Sequence, residues 1–273
     1  SSLRRLREDG RPGGPPRQAP RQAMALRRAP CLLFAKKGHS LQWIQRHCSD
    51  KYVQRAQERD YRSRSAFKLR QLDGQFSILR PHVNVVDLGC SAGGWSQVAL
   101  ERTATPSGHR RSVVVGVDME HMEPLDYHHF IRGDVREAAT LAKVLELLQG
   151  QRAHVVLSDM APQRMTGSKI DDHVASVDLC RAAARFAEQV LKEGGWFVTK
   201  IFAGALADRH RGELEQRFRK VHIAKPKASR QESSELYYVC ARFLGGTLDL
   251  SGDAAEAPLY RPGPRRPAGG SSY

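Results

Sequence analysis

Val85 to Val98 reads VVDLGCSAGGWSQV: an apolar run, an acid, three glycines within six residues, then apolar positions at helical spacing. Short apolar runs of this kind form buried strands. Glycines at 89, 93 and 94 let the chain turn tightly and approach a ligand closely. The stretch therefore predicts a strand, a tight turn and a helix, the opening of a βα unit. Taken alone, such a turn is equally a structural strand-to-helix connection. Its spacing also differs from the GxGxxG of dinucleotide enzymes, since Gly93 follows Gly89 by four residues and Gly94 comes at once.

Outward from this turn the same alternation continues. Strands are predicted over His82–Leu88, Ser112–Val117, Phe130–Gly133, His154–Leu157, Trp196–Ile201, Val221–Ala224 and Leu236–Phe243. Helices are predicted over Ser96–Arg102, Arg136–Leu148, Ser176–Lys192 and Arg209–Arg219, the third stopping at Gly194-Gly195. Strand–helix alternation specifies an α/β fold: a mostly parallel seven-stranded sheet with helices on both faces. Ligands on such sheets bind beyond the carboxyl ends of the strands. Gly89–Trp95, Asp118, Asp134, Asp159 and Lys200 all fall there.

Asp118, closing the second strand, is placed to accept both ribose hydroxyls of a nucleoside, which suits NAD and S-adenosylmethionine alike. Asp134 in RGDVRE either bonds an adenine amino group or caps a helix. Trp95 either lines the cofactor pocket or is buried against the sheet.

The chain has 273 residues, with 44 Lys+Arg against 29 Asp+Glu, a net charge of +15. Residues 1–46 contribute +9 and residues 47–244 contribute +6. A polyanion partner suits that balance, and a solvated basic surface is the plain alternative. Residues 1–41 form a basic leader rich in Pro, Gly and Arg, expected to be disordered. From Met24 its mixture of Leu, Phe, Arg and Lys without acids is that of a mitochondrial transit peptide, placing the protein in the matrix. A basic arm that helps hold RNA is the other reading. Residues 42–244 form the folded domain, and 245–273 a second disordered tail. Five scattered cysteines give no zinc site and no disulfide framework, which suits a reducing compartment. No apolar run approaches the ~20 residues of a membrane span.

Four residues then stand out in order: Lys68 in SRSAFKL, Asp159 in LSDMAP, Lys200 in FVTKIF and Glu235 in SSELYYV. Each has a plain alternative as a solvated or edge-strand charge, although a lysine after the run WFVT is costly unless it faces a cleft. With SDKYVQRAQERDYRSRSAFKL, VVDLGCSAGGWSQVA, GGWFVTKIFAG and KASRQESSELYYV they carry a resemblance. Over Gln42–Arg242 the chain resembles the FtsJ-type ribosomal RNA 2′-O-ribose methyltransferases. The resemblance implies a Rossmann-like methyltransferase fold and S-adenosylmethionine as donor, with no metal. It implies Lys68, Asp159, Lys200 and Glu235 as the catalytic tetrad, with Lys200 as proton acceptor. Donor contacts would fall on Gly93, Gly94, Trp95, Asp118, Asp134 and Asp159. The leader and the carboxyl stretch look most like the vertebrate mitochondrial branch, which methylates a uridine ribose of large-subunit rRNA. The implied partner is rRNA in an assembling mitochondrial large subunit, met by a monomer.

The chemistry makes sense of the residue types. An alcohol is almost un-ionised at neutral pH, so a base must take its proton as it attacks the methyl. A lysine serves where burial and a neighbouring cation destabilise its ammonium, a reason for two lysines to share one site. Cys90-Ser91-Ala92 replaces the family's usual Ala-Ala-Pro, and loss of the proline should loosen the loop. Gln163 replaces a usual Asn after Met-Ala-Pro. Bases alternate with aromatics from His47 to Arg70, so Arg55, Arg59, Arg62 and Arg64 are expected to meet RNA. Lys225, Lys227 and Arg230 add to that surface. The rival readings are a 2′-O-methyltransferase acting on transfer RNA or a messenger cap, and an RNA-binding assembly factor with little catalysis. An NAD dehydrogenase is disfavoured by the glycine spacing.

Overall fold

A computed structural model describes residues 41–105, 112–162 and 167–246. The leader before residue 41, the tail from 247 and Gln163 lie outside them. The chain divides into two units at Asp50. In the first unit, helix α1 (Leu41–Ser49) is described, and its Cys48 is disulfide-bonded, a pairing that the scattered cysteine spacing does not announce. The rest belongs to the second unit.

That unit opens with helices α2 (Lys51–Glu58) and α3 (Ala66–Phe76). Strand β1 (Val85–Leu88) and helix α4 (Gly94–Thr103) follow, then β2 (Val114–Asp118) and β3 (His129–Arg132). Next come α5 (Ala138–Leu147), β4 (Ala153–Ser158) and the long α6 (Lys169–Val190). The chain closes with β5 (Leu191–Phe202), α7 (Ala207–Glu215), β6 (Phe218–Ala224) and β7 (Glu235–Phe243).

The seven strands form one sheet in the order β3-β2-β1-β4-β5-β7-β6. The first five run parallel, and β7 pairs antiparallel with both β5 and β6. The sequence expectation of a mostly parallel seven-stranded sheet is met. β1 lies inside the sheet, between β2 and β4, with all four residues buried, as expected of a strand covered on both faces. One core packs α5, α6 and α7 against one face, and a second packs α3 and α4 against the other. The strand order reverses between β1 and β4, and the carboxyl ends there open the crevice that α/β sheets use for ligands.

One local expectation is corrected. The Gly194-Gly195 pair does not stop α6, which ends at Val190 with an extended cap at Leu191. Its register instead shows a bulge: Ala153 pairs with Leu191, but Val155 pairs with Trp196. The extra β5 residues are absorbed where Gly194 has φ +77° and where a Cβ on Gly195 would lie 2.8 Å from Lys192 O. The basic segment from His47 to Arg70 is built from several short helices. It breaks between α2 and α3, at Asp60 with φ 57°. Tyr52, Ala56 and Phe67 turn inward to meet Ala228, while Arg55 and Arg59 face solvent. No described helix is long and apolar enough to cross a membrane.

Candidate active site

β5 outruns β4 and carries Lys200 to the sheet rim, directly opposite Tyr237 of β7. β4 ends at Ser158, so Asp159 follows at the same edge. Glu235 opens β7, and Lys68 comes from the first turn of α3. The four are far apart in sequence and meet in two ion pairs. Lys68 Nζ lies 2.8 Å from Glu235 Oε1, both side chains about nine-tenths buried. Lys200 Nζ lies 3.0 Å from Asp159 Oδ1 and donates to the Asp159 carbonyl at 2.6 Å.

Tyr237 joins the pairs. Its hydroxyl donates to Asp159 Oδ1 at 2.7 Å, and Lys68 Nζ sits 5.8 Å from the centre of its ring. Burial by itself would raise the Asp159 carboxyl, but the nearby Lys200 and Lys68 ammonium groups outweigh it, so its pKa falls below the usual range. The Tyr237 hydroxyl moves the other way, well above its usual value, because it is buried and faces the Asp159 and Glu235 carboxylates. Sequence reasoning passed over Tyr237. The signal was available: two residues after Glu235 on a strand, it must share Glu235's face.

The glycine turn lies alongside. Gly93 has φ 102° and Gly89 has φ 74°, conformations that other residues adopt only under strain. A Cβ on Gly94 would lie 2.3 Å from Ser63 Oγ, so the turn is pressed against the segment leading into α3. Asp118 accepts from Ser91 N at 2.8 Å and from Glu120 N at 2.9 Å. A carboxylate has about four acceptor sites, so two remain for ribose hydroxyls. Asp134 accepts from Arg136 N at 2.9 Å; α5 begins only at Ala138, so Asp134 caps a turn rather than that helix. Trp95 is buried on the sheet, donates to Ser65 O at 2.9 Å and lies 5.8 Å from the Tyr237 ring. Among the described residues no three His, Cys, Asp or Glu gather as a metal site.

Arg62 and Arg64 are occupied within the fold. Arg62 donates to Glu123 O at 2.5 Å and Pro124 O at 2.6 Å, bracing the loop after β2. Arg64 donates to Ala228 O at 2.5 Å and braces the loop before β7.

The FtsJ-like methyltransferase family model matches residues 61–243, which include all four rim residues and the glycine turn. The chain belongs to this family. The ribosomal RNA large subunit methyltransferase E of Ruegeria sp. (strain TM1040) is 42% identical over 209 residues, covering 76% of this chain and 87% of that one. The protein of the same name in Methanothrix thermoacetophila is 42% identical over 199 residues, covering 73% and 74%. The crystal structure of a Plasmodium falciparum ribosomal RNA methyltransferase matches with TM-score 0.61 and 34% identity, over 68% of this chain and all of that one. The fold is thus the Rossmann-like arrangement of methyltransferases.

An FtsJ-like methyltransferase draws its methyl from S-adenosylmethionine, and the residues present fit that donor. The open lone pairs of Asp118, at the carboxyl end of β2 and bonded to Ser91 of the glycine turn, suit its ribose.

Beneath the turn lies a residue that sequence reasoning missed. Asp87 of β1 is wholly buried; Ser96 Oγ donates to its Oδ2 at 2.7 Å, and Oδ1 has no partner. Burial first, opposed by the Ser96 bond and helped by Asp159 and Asp118, lifts its pKa from 3.8 to about 7. As pH rises from about 4 to 7 the unfolded chain loses this proton while the folded chain keeps it, so stability falls across that window and levels off above it. Asp87→Asn should cancel that loss, with a gain over the parent that grows with pH to about 2–4 kcal/mol at neutrality. Urea melts at several pH values measure it; stability curves that run parallel from pH 4 to 7 would refute the assignment.

Proposed function

We propose that this enzyme transfers a methyl group from S-adenosylmethionine to the 2′-hydroxyl of a uridine ribose in mitochondrial large-subunit rRNA. The observation that carries the reading is the meeting of Lys68–Glu235 and Lys200–Asp159 at the rim beside the glycine turn. The relatives' names supply the rRNA class. The basic leader supports the mitochondrial part.

When bound, the donor supplies an electrophilic methyl on a sulfonium. The rest falls to the chain. Lys200 first gives its ammonium proton to solvent; its neutral Nζ then takes the proton of the attacking hydroxyl, and Asp159, fixed by Tyr237, aims that amine. Lys68, held by Glu235, places a cation beside Asp159 and steers the acceptor. Acceptor oxygen, methyl and sulfur must lie in line, so most of the work is positioning.

RNA is met next to the tetrad. Residues 216–231 hold six Lys+Arg and no acid. Packing of Ala228 against α2 brings this stretch beside the exposed Arg55 and Arg59. Lys225 donates to Ser233 O, while Lys227 faces solvent. Arg59→Ala with Lys227→Ala should weaken rRNA binding and lessen the slope of log affinity against log salt by about 1–2, leaving donor affinity intact. Equal binding at every salt concentration would remove this surface.

The function is tested by incubating the protein with methyl-labelled donor and mitochondrial large-subunit rRNA, free and in immature subunits. Label should appear as one alkali-resistant linkage after a uridine. Label on a base, or on transfer RNA or capped messenger instead, would overturn the proposal.

A further inference from the structure

β4 pairs with β5 only as far as Ser158 and Thr199. Lys200, Ile201 and Phe202 therefore extend beyond β4, supported by β7 on the other side alone. Buried backbone groups left without partners are costly, so something must take them. Side chains of α6 do.

His173, Ser176 and Cys180 are spaced three and four residues apart, hence lie on one face of α6, and all three are buried. Cys180 Sγ donates to Lys200 O at 2.7 Å. Ser176 Oγ accepts from Phe202 N at 3.1 Å and donates to His173 O at 2.8 Å. His173 Nδ1 donates to Phe202 O at 2.8 Å, and its Nε2 accepts from Leu206 N at 3.0 Å. Both ring nitrogens are used, which requires the neutral imidazole with its hydrogen on Nδ1. The ring also fills the space over Gly204, where a Cβ would lie 2.5 Å from Cγ and Cδ2.

We propose that this stripe is a positioning ladder for the reaction: His173, with Ser176 and Cys180, fixes the strand end that carries Lys200 and the turn Ala203–Leu206 beyond it. The inference rests on the reading of Lys200 as proton acceptor. Phe202 is paired with Glu235, and Ala203 N donates to Ser234 O at 2.9 Å. A shift of Phe202 would thus move Lys200 along one strand and Glu235, with its Lys68, along the next. The exposed Ala203, Gly204 and Ala205 stand at the rim. Displacements of about 1 Å at a reacting centre cost on the order of 100-fold in rate. His173 is a positioning residue on this account, since it acts through Phe202.

The test is a cycle of His173→Ala, Gly204→Ala and the double variant, with Ser176→Ala alongside, in the full-length protein. Methyl transfer to rRNA is followed under saturating and limiting RNA, donor affinity by calorimetry, and folded fraction by melting. His173→Ala should lower kcat about 10–100-fold, with donor affinity within about 2-fold of the parent. Gly204→Ala should lower kcat similarly, because its methyl displaces the ring. The double variant should be no worse than His173→Ala, since the ring is gone. Unchanged kcat per folded molecule in His173→Ala, a harmless Gly204→Ala, or losses that add in the double variant would each overturn the ladder. Should His173→Ala not fold, a reduced kcat in both Ser176→Ala and Gly204→Ala supports it and normal kcat in both refutes it. Lys200→Ala in the same assay keeps the two ideas apart: if that variant turns over, the role of Lys200 falls instead.

Discussion

Lys200→Ala is expected to lower methyl transfer at least 100-fold, and towards 10,000-fold, while the protein still folds and binds its donor. Removal of a positioned general base typically costs that much, and the other lysine at the rim among the described residues, Lys68, is held by Glu235 at 2.8 Å. Folding should survive because Asp159 keeps its hydrogen bond from Tyr237 and the charge of Lys68 nearby. Donor affinity should survive because the glycine turn and Asp118 lie on other strands. Lys200→Arg makes the sharper test. A guanidinium preserves the positive charge beside Asp159 but does not give up its proton in proteins. If Lys200 only stabilises charge, Lys200→Arg keeps substantial activity; if it takes the proton, Lys200→Arg is as dead as Lys200→Ala. Single-turnover transfer with saturating donor and RNA decides between them, and turnover near the parent rate in Lys200→Arg would dismiss Lys200 as the base.

The sheet was legible because its central strands are buried on both faces. VVDL, VVGVD and AHVVLS are nearly continuous apolar runs, the first carrying an acid within it, the second ending in one and the third followed by one, and that pattern survives without any knowledge of partners. The Gly194-Gly195 pair misled because glycine marks both helix ends and strand bulges, and only the β4 register shows which. Asp159 and Lys200 were readable as polar residues at strand ends, and the resemblance added Lys68 and Glu235, but the pairing was not readable: that Lys68 answers Glu235 and Lys200 answers Asp159 depends on β7 returning antiparallel beside β5. Arg62 and Arg64 looked like free cations in a basic segment, and nothing local shows that carbonyls of Glu123, Pro124 and Ala228 lie within reach. Asp87 and His173 were hidden for a related reason. An acid in a strand and a histidine in a helix acquire their roles from burial and from backbone groups of distant segments.

The Lys68–Glu235 pair yields the other large effect, and it separates stability from chemistry. Both side chains are about nine-tenths buried, so Glu235→Ala strands an ammonium away from water. Breaking a buried pair from one side typically costs about 3–5 kcal/mol. Glu235→Ala should therefore melt far below the parent and lose methyl transfer together. Replacing both partners by apolar residues of similar volume removes the stranded charge, and such swaps are often neutral or stabilising. Lys68→Met with Glu235→Leu should accordingly recover most of the lost stability, helped by the Tyr237 ring that Lys68 now overlies at 5.8 Å. It should not recover activity, because the cation beside Asp159 is gone and the acceptor is no longer steered. Chemical melts and single-turnover assays on the three proteins make the comparison. A double variant that regained both fold and rate would show that this pair serves only the structure, leaving Lys200 and Asp159 to carry the reaction alone.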